Sequence, residues 1–273
     1  MSLLNEDWVF SYSQLSGFDE CPYSLYLEKI EKNPTVLSNG FAEYGTLIHD
    51  ILDEWAKGII DRDEMVPVFK ARFGREVLTP FPRRLRDYKE KAFDLGVKYF
   101  EDFDSFEGYE IVSSEDKFRN KICGRNFVGI IDLVLRDKET GKLIVVDHKS
   151  KSLATFKKEE DHMYRQQYLY SQYVYEKYGE WPETLMFNLF KENGLKKTRP
   201  FSKVEFDEVM VWANDVMERM ETYDLFDFLQ TKEVQLTKKG TKREDMYCTE
   251  ICDMRAVCEQ GNPAFYKDSY EEF

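Results

Sequence analysis

The chain has 273 residues, 42% of them hydrophobic and 33% charged, with a formal net charge of -13. This balance describes a globular protein long enough to bury a sizeable core, and its longest apolar runs, such as LIVVD at 143 to 147, are strand-sized and too short to span a membrane. The acidic excess excludes an unspecialised basic nucleic-acid binder but leaves open a local phosphate-binding channel.

The N-terminal MSLLNEDWVF carries acids where a signal peptide needs a basic flank and an apolar run, which points to a cytoplasmic protein. From Ser11 to Lys32 the pattern is helical, with an interruption at Cys21-Pro22 and a loop at Lys32-Asn33-Pro34. A second helix is expected from Phe41 to Trp55, with Leu47, Ile48, Ile51, Leu52 and Trp55 on one stripe, and further helices around 63 to 74 and 84 to 104.

The period then changes. Residues 109 to 118, 126 to 136 and 142 to 149 are rich in Ile, Val, Leu and Phe and read as three strands. A long helix follows at 158 to 178, and then a hairpin whose arms LMFNLF and LKKTRPF meet at Asn193-Gly194. Ser202 and Glu205 form a capping-box pattern ahead of a helix whose core stripe is Phe206, Val209, Ala213, Val216 and Met220. This order, without repeats or long linkers, predicts an α/β fold: one compact domain over 1 to 273, with a mixed sheet core at 105 to 202 flanked by helices.

The central hairpin, FVGIIDLVLRDKETGKLIVVDHKS, turns at Lys138 to Gly141. A turn centred between Glu139 and Thr140 pairs residues whose numbers sum to 279, which sets Asp132 opposite Asp147. Opposed side chains sit about 4.5 to 5.5 Å apart at Cβ, where two like charges repel, so something positive belongs between them. A divalent cation such as Mg²⁺ or Mn²⁺ meets that need. Strand alternation puts Lys149 on the face of Asp147 and His148 on the other, so the ammonium can point at the same centre. His49 lies in line with Gly45 and Asp53 on the second helix, and Gly45 there permits close approach of another group.

In a reducing compartment, clustered cysteines more often bind metal than form disulfides. Cys248, Cys252 and Cys258 in YCTEICDMRAVC present three thiols from a short segment, and Cys21 in DECPYSLYL is the candidate fourth. Four cysteines suit an iron-sulfur cluster or structural zinc, and would join segments 1 to 35 and 240 to 262. Cys123, on a strand edge, reads as a small apolar filler.

Together these motifs resemble the RecB-like branch of the PD-(D/E)XK nucleases, particularly its iron-sulfur members: the nuclease domain of AddB-type helicase-nucleases and the four-cysteine CRISPR-associated exonucleases. The resemblance runs from SYSQLSGFDECPYSLYL through GTLIH, GIIDLVL and VVDHKS to RQQYLYSQYVY and the terminal cysteines. It implies a restriction-endonuclease-like core, with His49, Asp132, Asp147 and the carbonyl of His148 as ligands to Mg or Mn, and Lys149 as the catalytic lysine. It also implies that Gln166 and Tyr170 position Lys149 or the DNA strand, with Gln167 as the alternative to Gln166. A [4Fe-4S] cluster on Cys21, Cys248, Cys252 and Cys258 is implied as well. The late triplet opens with CxxxC where the branch more commonly has CxxC.

The expected function is metal-dependent hydrolysis of DNA, most simply exonucleolytic on single strands or duplex ends, in recombination, repair or phage DNA processing. The alternative is a non-catalytic DNA-binding or redox-sensing iron-sulfur subunit of a recombination complex. The chain has no GxxxxGK[ST] phosphate loop, so the nuclease is expected either to act alone or to borrow unwinding from a partner such as a helicase or recombinase. Basic clusters at Arg83 to Arg86, Lys149 to Lys158, Lys196 to Arg199 and Lys238 to Arg243 read as solvated faces first, and Tyr164, Tyr168 and Tyr170 as core or rim residues before base-stacking ones.

Overall fold

The computed structural model describes residues 3–34, 36–81, 88–229 and 247–258. The basic clusters at 83 to 86 and 238 to 243 lie outside the described residues. Two compact units divide the chain: Met1–Gly40, Thr79–Arg86 and Asn214–Phe273 form one, and Phe41–Leu78 with Asp87–Ala213 the other. Among the described residues no helix is long and apolar enough to cross a membrane.

In the first unit a two-residue strand, β1 (Phe10–Ser11), leads into α1 (Tyr12–Glu20), whose N-terminus is capped by Ser11 accepting the Gln14 N–H at 3.4 Å. The predicted interruption falls at Cys21, which is extended at φ -158°, and Pro22 then starts α2 (Pro22–Leu25). The residue before a proline is pushed out of the helical region, while proline suits the first helical position, so the break follows directly from the Cys-Pro pair. Phe18 packs its ring against Tyr223 and Phe228, the latter on α8 (Leu225–Phe228). The late cysteine segment opens with a π turn at Tyr247–Ile251 and is tied to residues 37 to 39. Leu37 N–H donates to Asp253 O at 2.9 Å, Asn39 Nδ2 to Ile251 O at 3.3 Å, and the Arg255 guanidinium to the carbonyls of Leu37, Ser38 and Cys252.

The second unit holds the long strands. They are β2 (Tyr109–Ile122), β3 (Arg125–Asp137), β4 (Leu143–Lys149), β5 (Thr184–Leu189) and β6 (Leu195–Pro200), lying in that order as a mixed sheet. With the flanking helices this is a mixed α/β, restriction-endonuclease-like core. Only β4 and β5 run parallel, and they are joined through α6 (Leu153–Tyr178), as a parallel pair requires a crossover. Leu143 through His148 are all buried, the continuous pattern of a central strand.

The predicted β3–β4 register is realised: Leu133 faces Val146, Val134 faces Val145, Leu135 faces Ile144 and Arg136 faces Leu143. Each pair sums to 279; the ladder ends at Leu133 and Val146, and beyond it Asp132 accepts the His148 N–H through its side chain. The β5–β6 connection turns at Asn193 and Gly194 with φ of 55° and 76°, the left-handed geometry that Asn-Gly favours. The β2–β3 turn has the same signature at Cys123 and Gly124, with φ of 50° and 78°. Cys123 is therefore a turn residue rather than strand filler, and its thiol donates to Met210 O at 3.4 Å.

Helix α3 (Gly40–Ala56) buries Leu47, Ile48, Ile51 and Leu52 of the predicted stripe and leaves Trp55 half-buried. Behind it come α4 (Met65–Glu76) and α5 (Tyr88–Glu101), where Phe69 packs on Phe73, Phe93 and Phe100. Helix α6 starts five residues before the expected 158, because Ser152 accepts the Thr155 N–H at 3.2 Å and caps it there. Helix α7 (Lys203–Thr222) begins at the predicted Ser202, whose hydroxyl accepts the Glu205 N–H at 3.3 Å, and it buries Phe206, Ala213, Val216 and Met220.

Candidate active site

Four elements of the second unit bring ionisable groups together. Helix α3 contributes His49, β2 Glu115, β3 Asp132, and β4 Asp147 and Lys149. His49 Nδ1 lies 3.6 Å from Asp132 Oδ2 and 3.9 Å from Glu115 Oε1. One ligand atom from each of these three residues falls within 4.8 Å of the others, the only such group of His, Cys, Asp or Glu among the described residues. One imidazole and two carboxylates are a donor set suited to a hard or borderline divalent cation.

Glu115 is the site residue that the sequence reading did not single out. It sits within the β2–β3 ladder between Ser114↔Leu133 and Asp116↔Ile131, a register that places it opposite Asp132. Its φ is 47°, a left-handed conformation that costs a non-glycine residue about 1–2 kcal/mol. Such strain in mid-strand commonly marks a functional position. Beside it, the Ser114 hydroxyl donates to Asp53 Oδ1 at 2.6 Å, one helical turn beyond His49. Asp53, predicted in line with His49, thus tethers β2 to α3. A Cβ added at Gly45, the third member of that line, would meet nothing within 4 Å, so packing there does not require glycine.

His148 contributes its backbone N–H and carbonyl to the site, and its ring stands edge-on to His49 at 5.6 Å between centroids. Its N–H donates to Asp132 Oδ2 at 2.7 Å, and its carbonyl lies 2.9 Å from His49 Nε2. A carbonyl can only accept, so Nε2 carries the proton, and in the neutral ring Nδ1 is left as a lone pair facing Asp132 and Glu115. Metal-binding histidines commonly have their second nitrogen held in this way.

Asp147 and Lys149 form the adjoining pair, with Lys149 Nζ 2.7 Å from Asp147 Oδ2 and 3.0 Å from Oδ1. The 2.7 Å contact is an ion-pair distance without hydrogen-bond geometry, which leaves Oδ2 buried and lacking a hydrogen-bond donor among the described residues. Lys149 also donates to Gln166 Oε1 at 3.2 Å, and Gln166 Nε2 to Tyr170 OH at 3.3 Å. Gln166 on α6 therefore reaches the lysine, and Tyr170, one turn on, holds Gln166. Gln167 faces away, fully buried, with its amide on Met186 O at 2.7 Å.

The electrostatics follow from burial among like charges. Burial, reinforced by Asp147, pushes Asp132 up to about 6. Burial opposes the charge on His49, but Asp132, Glu115 and Asp147 outweigh it and raise its pKa. Lys149 behaves alike, with Asp147 and Asp132 overcoming the burial penalty and holding the ammonium charged. The site thus concentrates carboxylates that lack enough positive charge, the condition a cation relieves.

Tyr164, Tyr168 and Tyr170 are buried and unavailable for stacking. Lys151 pairs with Glu159, Lys196 with Asp104, and Arg199 with Asp161 and Glu205, while Lys196 and Arg199 also lie over the rings of Phe106 and Tyr164, so these two are part-covered rather than solvated. Cys21, Cys248, Cys252 and Cys258 all belong to the first unit, and none forms a disulfide.

A family model described as the PD-(D/E)XK nuclease superfamily matches residues 9–259. No curated protein matches the chain. Among solved structures, a crystal structure from Eubacterium rectale named "Putative exonuclease" is similar at 11% sequence identity and a TM-score of 0.47, covering 85% of this chain and 92% of that one.

Proposed function

The chain belongs to the PD-(D/E)XK nuclease superfamily, and from that premise we propose that it is a metal-dependent deoxyribonuclease of the RecB-like, iron-sulfur branch, acting as an exonuclease on single strands or duplex ends. The observation that carries this reading is the meeting of His49, Glu115 and Asp132 at ligand spacing beside the Asp147–Lys149 pair. His49 through Nδ1, Glu115 and Asp132 would hold Mg²⁺ or Mn²⁺, with Asp147 and the remaining lone pair of the His148 carbonyl as further donors. When bound, the cation supplies Lewis-acid stabilisation of the phosphate and lowers the pKa of water. Lys149 orients the attacking water and stabilises charge building on the phosphoryl oxygens. Gln166 and Tyr170 hold the ammonium in line, so little reorganisation is left for the moment of reaction.

The second part of the proposal is a [4Fe-4S] cluster on Cys21, Cys248, Cys252 and Cys258, acting as a staple within the first unit. It is supported by the hydrogen bonds that tie residues 37 to 39 to residues 251 to 255, and by Ser24 Oγ lying 3.6 Å from Cys252 Sγ, three residues after Cys21. A helicase or recombinase is the partner class that would supply unwound ends in recombination, repair or phage DNA processing.

The reaction is tested on end-labelled and circular DNA with added Mg²⁺ or Mn²⁺. Cleavage of linear but not circular substrates is expected; equal cleavage by wild type and Lys149→Ala would overturn the assigned site. Anaerobic purification with iron, sulfide and zinc analysis tests the cluster, and a zinc-loaded, iron-free protein would overturn it.

A further inference from the structure

The ring of His148 stands edge-on to that of His49, with centroids 5.6 Å apart, and it also enters a buried polar chain whose other members the reaction does not use. Its Nδ1 lies 2.9 Å from Asn188 Nδ2 on β5, and the same amide nitrogen lies 2.8 Å from Tyr99 OH on α5. Asn188 is fully buried, Tyr99 is 1% exposed and His148 4%. In this orientation the amide donates one proton to each neighbour, so His148 Nδ1 is an acceptor and the ring is neutral. Asn188 Oδ1 has no hydrogen-bond partner among the described residues. A buried polar group left short of a partner costs about 1–3 kcal/mol, so the chain is an expensive way to fill a core that apolar side chains would fill at less cost.

What the chain returns is control of the His148 backbone. That backbone is the hub of the site: the N–H in the peptide from Asp147 is on Asp132, and the carbonyl in the peptide to Lys149 is on His49. Strand alternation sends the imidazole to the face opposite Asp147 and Lys149, where it meets the His49 ring, so whatever anchors His148 restrains both that ring and the Cα between the two peptides. The β5–β6 turn backs the anchor closely: a Cβ on Gly194 would lie 3.2 Å from the Tyr99 ring and 3.6 Å from Asn188 Oδ1.

We propose that Asn188 and Tyr99 are positioning residues, which act through the His148 ring to fix the backbone N–H and carbonyl that orient Asp132 and His49. The proposal rests on the nuclease reading only for its consequence in catalysis; its structural consequence is measurable in the metal-free protein.

The test uses Asn188→Leu, similar in volume and without polar atoms, and Tyr99→Phe, which removes only the hydroxyl. Imidazole ¹⁵N spectra report the His49 tautomer without metal, and calorimetric titration with Mn²⁺ reports affinity. Wild type is expected to hold the Nε2–H tautomer of His49. Asn188→Leu should relax that preference and weaken Mn²⁺ binding about 10- to 100-fold, as loss of an outer ligand partner does. Tyr99→Phe should shift both readings in the same direction by less. On DNA the variants should lower kcat with KM unchanged. A folded Asn188→Leu protein with the wild-type tautomer and wild-type Mn²⁺ affinity would overturn the proposal; if that variant fails to fold, the same result in Tyr99→Phe would overturn it. Failure of the nuclease reading looks different, because wild type would then cleave no DNA while the tautomer shift between wild type and variants persisted.

Discussion

Lys149 and Asp147 form a buried-edge ion pair two residues apart on one strand, with Nζ 2.7 Å from one carboxylate oxygen and 3.0 Å from the other. The same ammonium reaches Gln166 at 3.2 Å, so a helix and a strand fix its position together. Lys149→Ala should lower kcat by about 10²- to 10⁴-fold, the range for a positioned proton-transfer or charge-stabilising group. Mn²⁺ binding should survive, because the metal-spaced trio does not include the lysine. Single-turnover cleavage and Mn²⁺ titration of the same preparation check both halves.

Glu115→Gln keeps the size and the strained backbone but removes a charge from the trio. Mn²⁺ affinity is expected to fall by about 10-fold or more, with the fold intact by circular dichroism. Unchanged affinity would remove Glu115 from the ligand set and leave its left-handed conformation unexplained.

Neighbouring glutamines on α6 should behave in opposite ways. Gln166→Ala is expected to lower kcat with little change in melting temperature, since it loses contacts to Lys149 and Tyr170 at the site. Gln167→Ala should cost about 1–3 kcal/mol of stability, because it strips the buried Met186 carbonyl of its donor, and leave kcat near wild type. Denaturant melts and initial rates on both variants separate the two roles.

Gly129→Ala tests the packing that carries Tyr170. A Cβ there would sit 2.5 Å from Phe118 Cζ and 2.8 Å from Tyr170 Cε1. The Phe118 ring is held by stacking on Tyr173 at 4.4 Å, so it cannot move aside cheaply. The substitution should destabilise by about 1–3 kcal/mol and lower kcat as Tyr170 shifts from Gln166. A stable, fully active variant would show that Tyr170 is dispensable.

Asp132 makes the response to cations depend on pH. Its pKa is raised from 3.8 to about 6, so its contribution to stability is present at low pH and lost as pH rises through about 6. His49, also raised, must lose its proton to bind a cation and acts in the same sense. Mn²⁺ should therefore raise the melting temperature more at about pH 7.5 than at about pH 5. Equal shifts at the two values would mean that binding does not require the ionised carboxylate.

Local order was legible because neighbours in sequence determine it. The Cys21-Pro22 break, the Asn193-Gly194 turn, the α3 stripe and the β3–β4 register each depend on residues within one turn or one hairpin, where backbone sterics and side-chain period act. The register alone was enough to bring Asp132 and Asp147 to the same end of neighbouring strands and to place Lys149 beside Asp147. Which of Gln166 and Gln167 faces the lysine was not legible, since a polar pair on a helix does not say which way the helix is turned; packing of α6 on the sheet decided it.

Glu115 lay hidden for a similar reason. In SSED it looks like ordinary strand-edge acidity, and its role depends on a left-handed backbone and on a histidine from a helix far away in sequence. The same holds for Asn188 and Tyr99, which read as a strand polar residue and a core aromatic until three elements close around His148. From the sequence alone came the elements, their pairing, and the acids, histidine, lysine and cysteines that could do chemistry. Only the tertiary structure decided which of them share a centre, because separations of 3 to 4 Å between distant segments are set by how whole elements pack rather than by any local preference.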